Sequence, residues 1–302
     1  MPDWGAVLVV GESLVDIVLG SDGEQLSVSP GGSPMNVTVG LARLGVPVRL
    51  VTCLGADKYG GLIREHVAAS GVELLARPLA GPTSTATARL DDQGRASYEF
   101  KLDWEPGSLA LTDDLACLHV GSLGTVVEPG DADVLSLVER AAETGLPISY
   151  DPNVRPGVSP DPVTLWRRVR QLADRSTIVK MSDEDLAYLQ PDRAVGDVLD
   201  DLVRGSRTEV AVVTRGAHGA SGADSARSVE LVSQPVDVVD TVGAGDAFMA
   251  GLLAAYWSGE RDVLELMSAA MTVAAVTCGR RGADPPWREE LGTAFHPHRG
   301  PS

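Results

Sequence analysis

Short β-branched runs alternate with longer amphipathic stretches along most of this chain, and that alternation restricts the fold more than any other feature. Strand signals fall at Ala6–Val10, Val48–Leu54, Cys117–Gly121, Pro147–Asp151, Thr177–Lys180 and Glu209–Thr214. Helical periodicity falls between them at Asn36–Leu44, Lys58–Ser70, Asp131–Thr144 and Pro162–Ala173, and the last third holds two long helices at Ala244–Ser258 and Asp262–Cys278. Near-continuous apolar strands must be covered on both faces, so the pattern predicts an α/β protein with a mostly parallel sheet between helical layers. Two segments break the alternation. Ile17–Ser29 is polar and extended, and Thr83–Lys101 reads as a hairpin, TATARL and RASYEF, turning at Asp91–Gly94. About residues 17–29 and 83–101 are therefore expected to form a small β lid over the C-terminal edge of the sheet. The 302 residues, 1–302, are compatible with a single α/β domain.

Charge and cysteine content remove several function classes. Lys and Arg total 25 against 42 Asp and Glu, a formal net charge of −17. Nucleic acid and anionic membranes both require basic surface, so neither is an expected partner. The three cysteines, Cys53, Cys117 and Cys278, are too widely spaced for a zinc pattern or a disulfide framework. The opening MPDWGAVLVVGES lacks a basic region before an apolar stretch, and the most apolar segments fall short of the ~18 residues of a membrane span. A cytoplasmic setting is expected.

The segment DTVGAGD, Asp240–Asp246, runs directly into the apolar stretch AFMAGLLAAYW. Gly243, Ala244 and Gly245 allow a tight turn that exposes main-chain amides at a helix start, an anion hole suited to phosphate oxygens. Asp246 in that position can take a proton from an attacking hydroxyl; a carboxylate near a helix start is also favourable in itself. No GxxxxGK[ST] is present, which excludes a P-loop enzyme. PGGSPMN, Pro30–Asn36, again places glycines, Gly31 and Gly32, ahead of a helix, with Asn36 offering a donor and an acceptor. Asp16 follows the first strand, where an α/β sheet gathers ligands, although a cap and a plain turn explain these residues as well. Asn153 and Arg155 in DPNVRPG follow a later strand, where an arginine can clamp phosphate. After the strand ending near Lys180, Ser182 and Asp185 fit either a phosphate-bound metal or a helix cap. Thr214, Gly216 and Gly219 in VTRGAHGA fit either a nucleotide pocket or a hairpin turn. His119, inside an apolar strand, reads as a core histidine.

At DTVGAGD the chain resembles the ribokinase-like (phosphofructokinase-B) carbohydrate kinases. GES…D, the GG…N segment, CLGADKYGG, VTRGAHGA, GRRGA and PPWREEL follow in the family's order. PGGSPMNVTVGLARLG, HVGSLGTVVEPG, ISYDPNVRPG and VKMSDEDLAYL are most similar to the fructokinase branch. The resemblance implies a three-layer α/β/α fold and ATP-dependent phosphorylation of a small sugar, fructose to fructose 6-phosphate. It implies that Asp16, Gly31, Gly32, Asn36 and Asn153 serve the sugar, with Asp246 as base and Arg155 near the reacting phosphate. Lys180, Ser182, Asp185, Thr214, Gly216 and Gly219 would line the ATP pocket, with Mg²⁺ bound mainly through ATP and water. Asp240, Val242, Thr277 and Gly282 match a monovalent-cation (K⁺) position. Two lids would pair in a homodimer.

Three alternatives stand beside this reading. A ribokinase or a 2-keto-3-deoxygluconate kinase shares the same frame, and a sugar acid would require a cation such as Arg89, Arg95 or Lys101 on the lid. A sugar-binding regulator without turnover belongs to a different class, which the intact Asp246 opposes. A dinucleotide dehydrogenase would require GxGxxG after the first strand, which is lacking.

Overall fold

A computed structural model describes residues 5–295 apart from 160 and 234. In chain order the strands are β1 (Ala6–Val10), β2 (Leu14–Leu19), β3 (Gln25–Gly31), β4 (Val48–Leu54), β5 (Glu73–Pro78), β6 (Thr85–Leu90), β7 (Ala96–Lys101), β8 (Leu115–Gly121), β9 (Ile148–Asp151), β10 (Ile178–Ser182), β11 (Val210–Thr214), β12 (Ala220–Ala223) and β13 (Ser228–Leu231). The helices are α1 (Ser33–Arg43), α2 (Lys58–Ala69), α3 (Gly130–Glu143), α4 (Pro162–Ala173), α5 (Asp183–Leu189), α6 (Val195–Val203), α7 (Ala244–Trp257) and α8 (Val263–Cys278).

Nine strands form one sheet in the order β13-β12-β11-β10-β9-β8-β1-β4-β5. The pairings from β5 to β11 are parallel, and β12 alone runs against the rest, pairing antiparallel with both β11 and β13. The alternation of side chains along each strand divides the core in two. Val7, Val9, Val210 and Val212 pack with α1, α2, α7 and α8. Leu8, Val10, Ala211 and Val213 pack with α3, α4, α5 and α6 on the opposite face. This is the three-layer α/β/α arrangement that the apolar strands required.

The chain leaves β1 toward β4 on one side and returns through β8 on the other, so the strand order reverses beside the C-terminal end of β1. Such a switch point opens a crevice for ligands. A second sheet, β3-β2-β6-β7, stands over it. Its β2–β6 pairing is parallel and its other pairings antiparallel, and the register sets Ser29, Asp16, Ala86 and Phe100 in one row across it. Both anomalous segments of the sequence lie in this sheet, which starts at Leu14 rather than at Ile17.

Element boundaries follow local chemistry. α4 spans the expected Pro162–Ala173 because Asp161 caps it, accepting from the Val163 and Thr164 amides. α1 begins three residues earlier than the periodicity indicated. Gly32 is its N-cap at φ 108° and Pro34 occupies its first turn, where a missing N–H is harmless.

Candidate active site

A cleft of about 1020 Å³ runs along the C-terminal edge of the large sheet and under the small one. Its floor is formed by the ends of consecutive strands: Glu12 after β1, Ser122 after β8, Asn153 after β9, Lys180 and Ser182 of β10, and Thr214 of β11. Three helices, α1, α5 and α7, present their first turns to it. α2, α4, α5 and α8 begin on side-chain caps, Asp57, Asp161, Ser182 and Asp262, that occupy free amides. α3 and α6 also lack a side-chain cap but start away from the cleft, whereas α1 and α7 begin at it on Gly32 and Gly243 without one. Their first-turn amides and their helix dipoles are thus left to a ligand.

Gly243 is left-handed at φ 75°, and a Cβ there would stand 2.5 Å from the Ala283 Cβ. Only glycine satisfies both the angle and the approach. Asp246, in the first turn of α7, is held from α1: Ser33 Oγ donates to its Oδ1 at 2.6 Å and Asn36 Nδ2 to its Oδ2 at 2.8 Å. Loss of bulk water around this carboxyl pushes its pKa up, while Ser33, Asn36 and the Lys180 ammonium pull it back.

Lys180 is buried and pairs with the equally buried Asp151, Nζ to Oδ2 at 2.8 Å. Its burial disfavours the ammonium, but Asp151, Asp185 and Asp246 outweigh that and hold its pKa above the ordinary value. A Cβ built on Gly245 would lie 3.2 Å from Lys180 Nζ, so this cation reaches the start of α7. Ser182 and Asp185 form a capping box at α5, Asp185 accepting from the Ser182 amide at 2.9 Å and donating its own amide to Ser182 Oγ at 3.0 Å. The second Asp185 oxygen accepts from the Val154 amide at 2.7 Å. The helix-cap reading of this pair is the one the structure forms, and the cap also lines the cleft.

The opposite half of the cleft holds Asp16, Phe100, Leu123, Asn153 and Arg155. Burial raises the Asp16 pKa to about 6, with Arg155 opposing and Asp246 reinforcing the shift. Arg155 Nη1 donates to Asn153 Oδ1 at 2.8 Å. Asn153 at φ 38° and Ser122 at φ 53° are the non-glycine residues with left-handed backbone among those described, and both line this half. Such strain collects where a fold fixes a site.

Fourteen residues singled out in the sequence come together on this cleft: Asp16, Gly32, Asn36, Asn153, Arg155, Lys180, Ser182, Asp185, Thr214, Gly216, Gly219 and Gly243–Gly245. Asp246 and Val242 join them. Gly31 does not line the cleft; a Cβ there would stand 2.0 Å from Asp16 Oδ2, so its bareness makes room for that carboxylate. Gly216 and Gly219 lie in the turn of the β11–β12 hairpin and on the cleft wall together. Asp240 ties two loops, its oxygens accepting from the Val242 amide at 3.0 Å and the Gly282 amide at 2.9 Å. Thr277 is buried, and its carbonyl accepts from the Arg280 amide. His119 is a core residue, hydrogen-bonded to Ser149 Oγ at 2.8 Å and held down to about 3 by burial.

Two functional-looking groups escaped the sequence reading. Glu12 is buried at the switch point, accepts from the Gly124 amide at 2.8 Å, and is raised to about 7 by burial. Ser33 was passed over between the glycines and Asn36. Among the described residues no cluster of three or more His, Cys, Asp or Glu could hold a metal ion. The separate carboxylates of Asp183 and Glu184 on the cleft wall fit a divalent ion held mainly by phosphates and water.

The model of the pfkB family carbohydrate kinases matches residues 6–290. A fructokinase of Rhizobium leguminosarum bv. trifolii is 35% identical over 262 residues, 82% of this chain and 78% of that protein. The crystal structure of a Xylella fastidiosa fructokinase with bound ATP superposes with a TM-score of 0.82 at 26% identity, covering 96% of this chain and 97% of that one. A Vibrio cholerae O395 fructokinase double mutant, solved with fructose, ADP and potassium, superposes with a TM-score of 0.77 at 25% identity over 97% and 96% of the two chains. The chain belongs to the pfkB family of carbohydrate kinases and is an ATP-dependent sugar kinase.

Proposed function

We propose that this kinase phosphorylates fructose to fructose 6-phosphate, with Asp246 as general base. The observation that carries the mechanism is the meeting of two uncapped helix starts around one carboxylate, with the Lys180 ammonium beside them. Asp246 accepts the proton of the sugar hydroxyl as its oxygen bonds to the γ-phosphorus. The bond from that phosphorus to the β–γ bridging oxygen breaks, and ADP leaves. The α7 amides and Lys180 face the oxygens on which charge gathers. Mg²⁺ carried on the ATP phosphates neutralises part of their charge when bound.

Fructose is favoured by the relatives named above and by the lining of the sugar half. Phe100 and Leu123 give it apolar walls, and Asp16 offers a carboxylate to hydroxyls. A sugar acid would need a cation on the lid. Lys101 instead pairs with Glu99, Arg95 pairs with Asp91, and neither these two nor Arg89 lines the cleft. Phe100, on the opposite face of β7 from Lys101, is the residue that reaches inward. For the nucleotide, Val236, Val238, Met271, Ala274 and Ala275 supply an apolar wall at the other end. Asp240 and the nearby carbonyls are proposed to serve a potassium ion, and the Vibrio cholerae O395 fructokinase double mutant was solved with a potassium ion bound. A homodimer through the small sheet is supported by its outer strands β3 and β7 and by the exposed Leu26 and Tyr98. Free cysteines accord with a cytoplasmic setting, and no helix among the described residues is long and apolar enough to cross a membrane.

The test is a panel of sugars with ATP and Mg²⁺, reading ADP release. Fructose is expected to exceed ribose by roughly tenfold or more in kcat/KM, because each mismatched hydroxyl leaves a buried partner unsatisfied. A higher kcat/KM for ribose or 2-keto-3-deoxygluconate overturns the choice of sugar.

A further inference from the structure

α1 and α7 meet along one stripe. Ser33, Asn36 and Gly40 stand at i, i+3 and i+7 of α1, so they share a face. A Cβ on Gly40 would stand 2.6 Å from the Ala250 Cβ, so glycine there lets the two helices approach closely. Toward the helix starts the same stripe presents the two donors that hold Asp246. Ser33 is braced from behind. Gly32 lies against the chain leaving β1, where a Cβ would stand 2.7 Å from the Glu12 carbonyl oxygen. Pro34 fills the space above Gly11, whose Cβ would stand 2.3 Å from Pro34 Cγ. The first turn of α1 therefore cannot drift away from α7 without disturbing the exit of β1.

We propose that Ser33 is a positioning residue for phosphoryl transfer: its hydroxyl fixes the orientation of Asp246 and keeps that carboxylate an acceptor for the sugar hydroxyl. The inference rests on Asp246 being the base. An ionised carboxylate has about four acceptor sites on its two oxygens. Ser33 and Asn36 each take one, which sets the plane of the group and leaves a site for the substrate. A hydroxyl donor also stabilises the charged form against the loss of water at the cleft floor. Asn36 does the same, but its carbonyl oxygen is also available to the sugar, so its removal would confound two roles. Ser33 has the simpler chemistry, and alanine fits its position in a helix. The other charged groups facing Asp246 are Lys180 of β10, Asp151 of β9 and Asp16 of β2, and none is altered by a change at Ser33.

The test compares kcat against pH for wild type, Ser33→Ala, Ser33→Thr and Asp246→Asn, each confirmed folded by its thermal midpoint. Ser33→Ala is expected to move the acid limb of kcat up by about one pH unit, so that kcat falls by up to roughly tenfold on the acid side of the limb, the range for one hydrogen bond to a charged group. Most of the loss should return by alkaline pH, with the sugar KM nearly unchanged. Ser33→Thr, which keeps the hydroxyl, should restore the wild-type limb. A loss equal at every pH, or a change in KM alone, overturns the proposal. An inactive Asp246→Asn beside an unmoved limb in Ser33→Ala rejects the role of Ser33 alone. Retained turnover in Asp246→Asn rejects the base itself, and the proposal with it.

Discussion

The two ends of the cleft are built differently. At the transfer end the charges belong to the large sheet: Asp151 and Lys180 are fully buried and paired, and Asp185 is locked into a capping box. At the sugar end Asp16 and Phe100 belong to the second sheet, and the cation, Arg155, is exposed on a loop. Catalytic electrostatics need groups that do not reorganise during the reaction, which burial between packed layers provides. Recognition needs a wall that can differ between substrates without disturbing that machinery, and a separately hydrogen-bonded sheet provides it. The common family frame with variable sugars follows from this division.

The sharpest way to break the comparison is at Asp246. Asp246→Asn keeps the volume and an acceptor for Ser33 but removes the base. Turnover is expected to fall by roughly 10² to 10⁴, with ATP binding near wild type. If steady-state rates showed more than about a third of wild-type turnover, the transfer end would not depend on this carboxylate.

Lys180 and Arg155 give a matched pair of cations for the next test. Lys180→Met leaves Asp151 buried without its partner, and losing one member of such a pair destabilises by about 3–5 kcal/mol. Arg155→Met, at an exposed site, is expected to change stability by less than about 0.5 kcal/mol. The double variant Asp151→Asn with Lys180→Met removes both charges and should recover most of the stability while turnover remains low. Urea unfolding measures all three. Equal losses from the two single variants would erase the distinction between the ends.

How much of this was legible in the chain depended on distance along it. α4, α7 and the lid hairpin could be read closely because their caps, glycines and turn residues act within a few positions. The uncapped start of α7 was legible for the same reason: Gly243 and Gly245 declare a tight helix start locally. The Lys180–Asp151 pair was harder, since each residue looks like an ordinary strand end. Its cause is the parallel register of β9 and β10, in which Val179 lies opposite Tyr150 and the next step meets both charges. Asn36 lines the cleft, but its hydrogen bond to Asp246, 210 residues away, has no sign in the local sequence. Lys101 stood among the lid cations that a sugar acid would require, but the pleat turns it away and Phe100 inward. Glu12 stands in the GES…D opening, but nothing local marks its burial, which arises only where β1 and β8 become neighbours at the switch point.

Glu12 supplies the smallest and most discriminating prediction, since it sits at the sugar end yet is buried like the transfer end. Its pKa rises from 4.5 to about 7 in the folded protein, chiefly through burial. Between those values the folded state holds a proton that the unfolded chain has released, so this group's contribution is fully present at low pH and is lost as pH rises toward 7. A shift of that size corresponds to at most roughly 3 kcal/mol. Glu12→Gln keeps an acceptor for the Gly124 amide but cannot ionise. The variant should therefore gain stability relative to wild type as the pH is raised from 5 to 8. His119 has the opposite sign, because a folded-state pKa near 3 means that acid favours unfolding. It is unchanged in both proteins, so its contribution cancels in the difference. Urea midpoints for the two proteins at pH 5, 6, 7 and 8 decide the matter. A constant difference across that range would mean that Glu12 is ionised throughout, and that water reaches the floor of the sugar end as freely as it reaches Arg155.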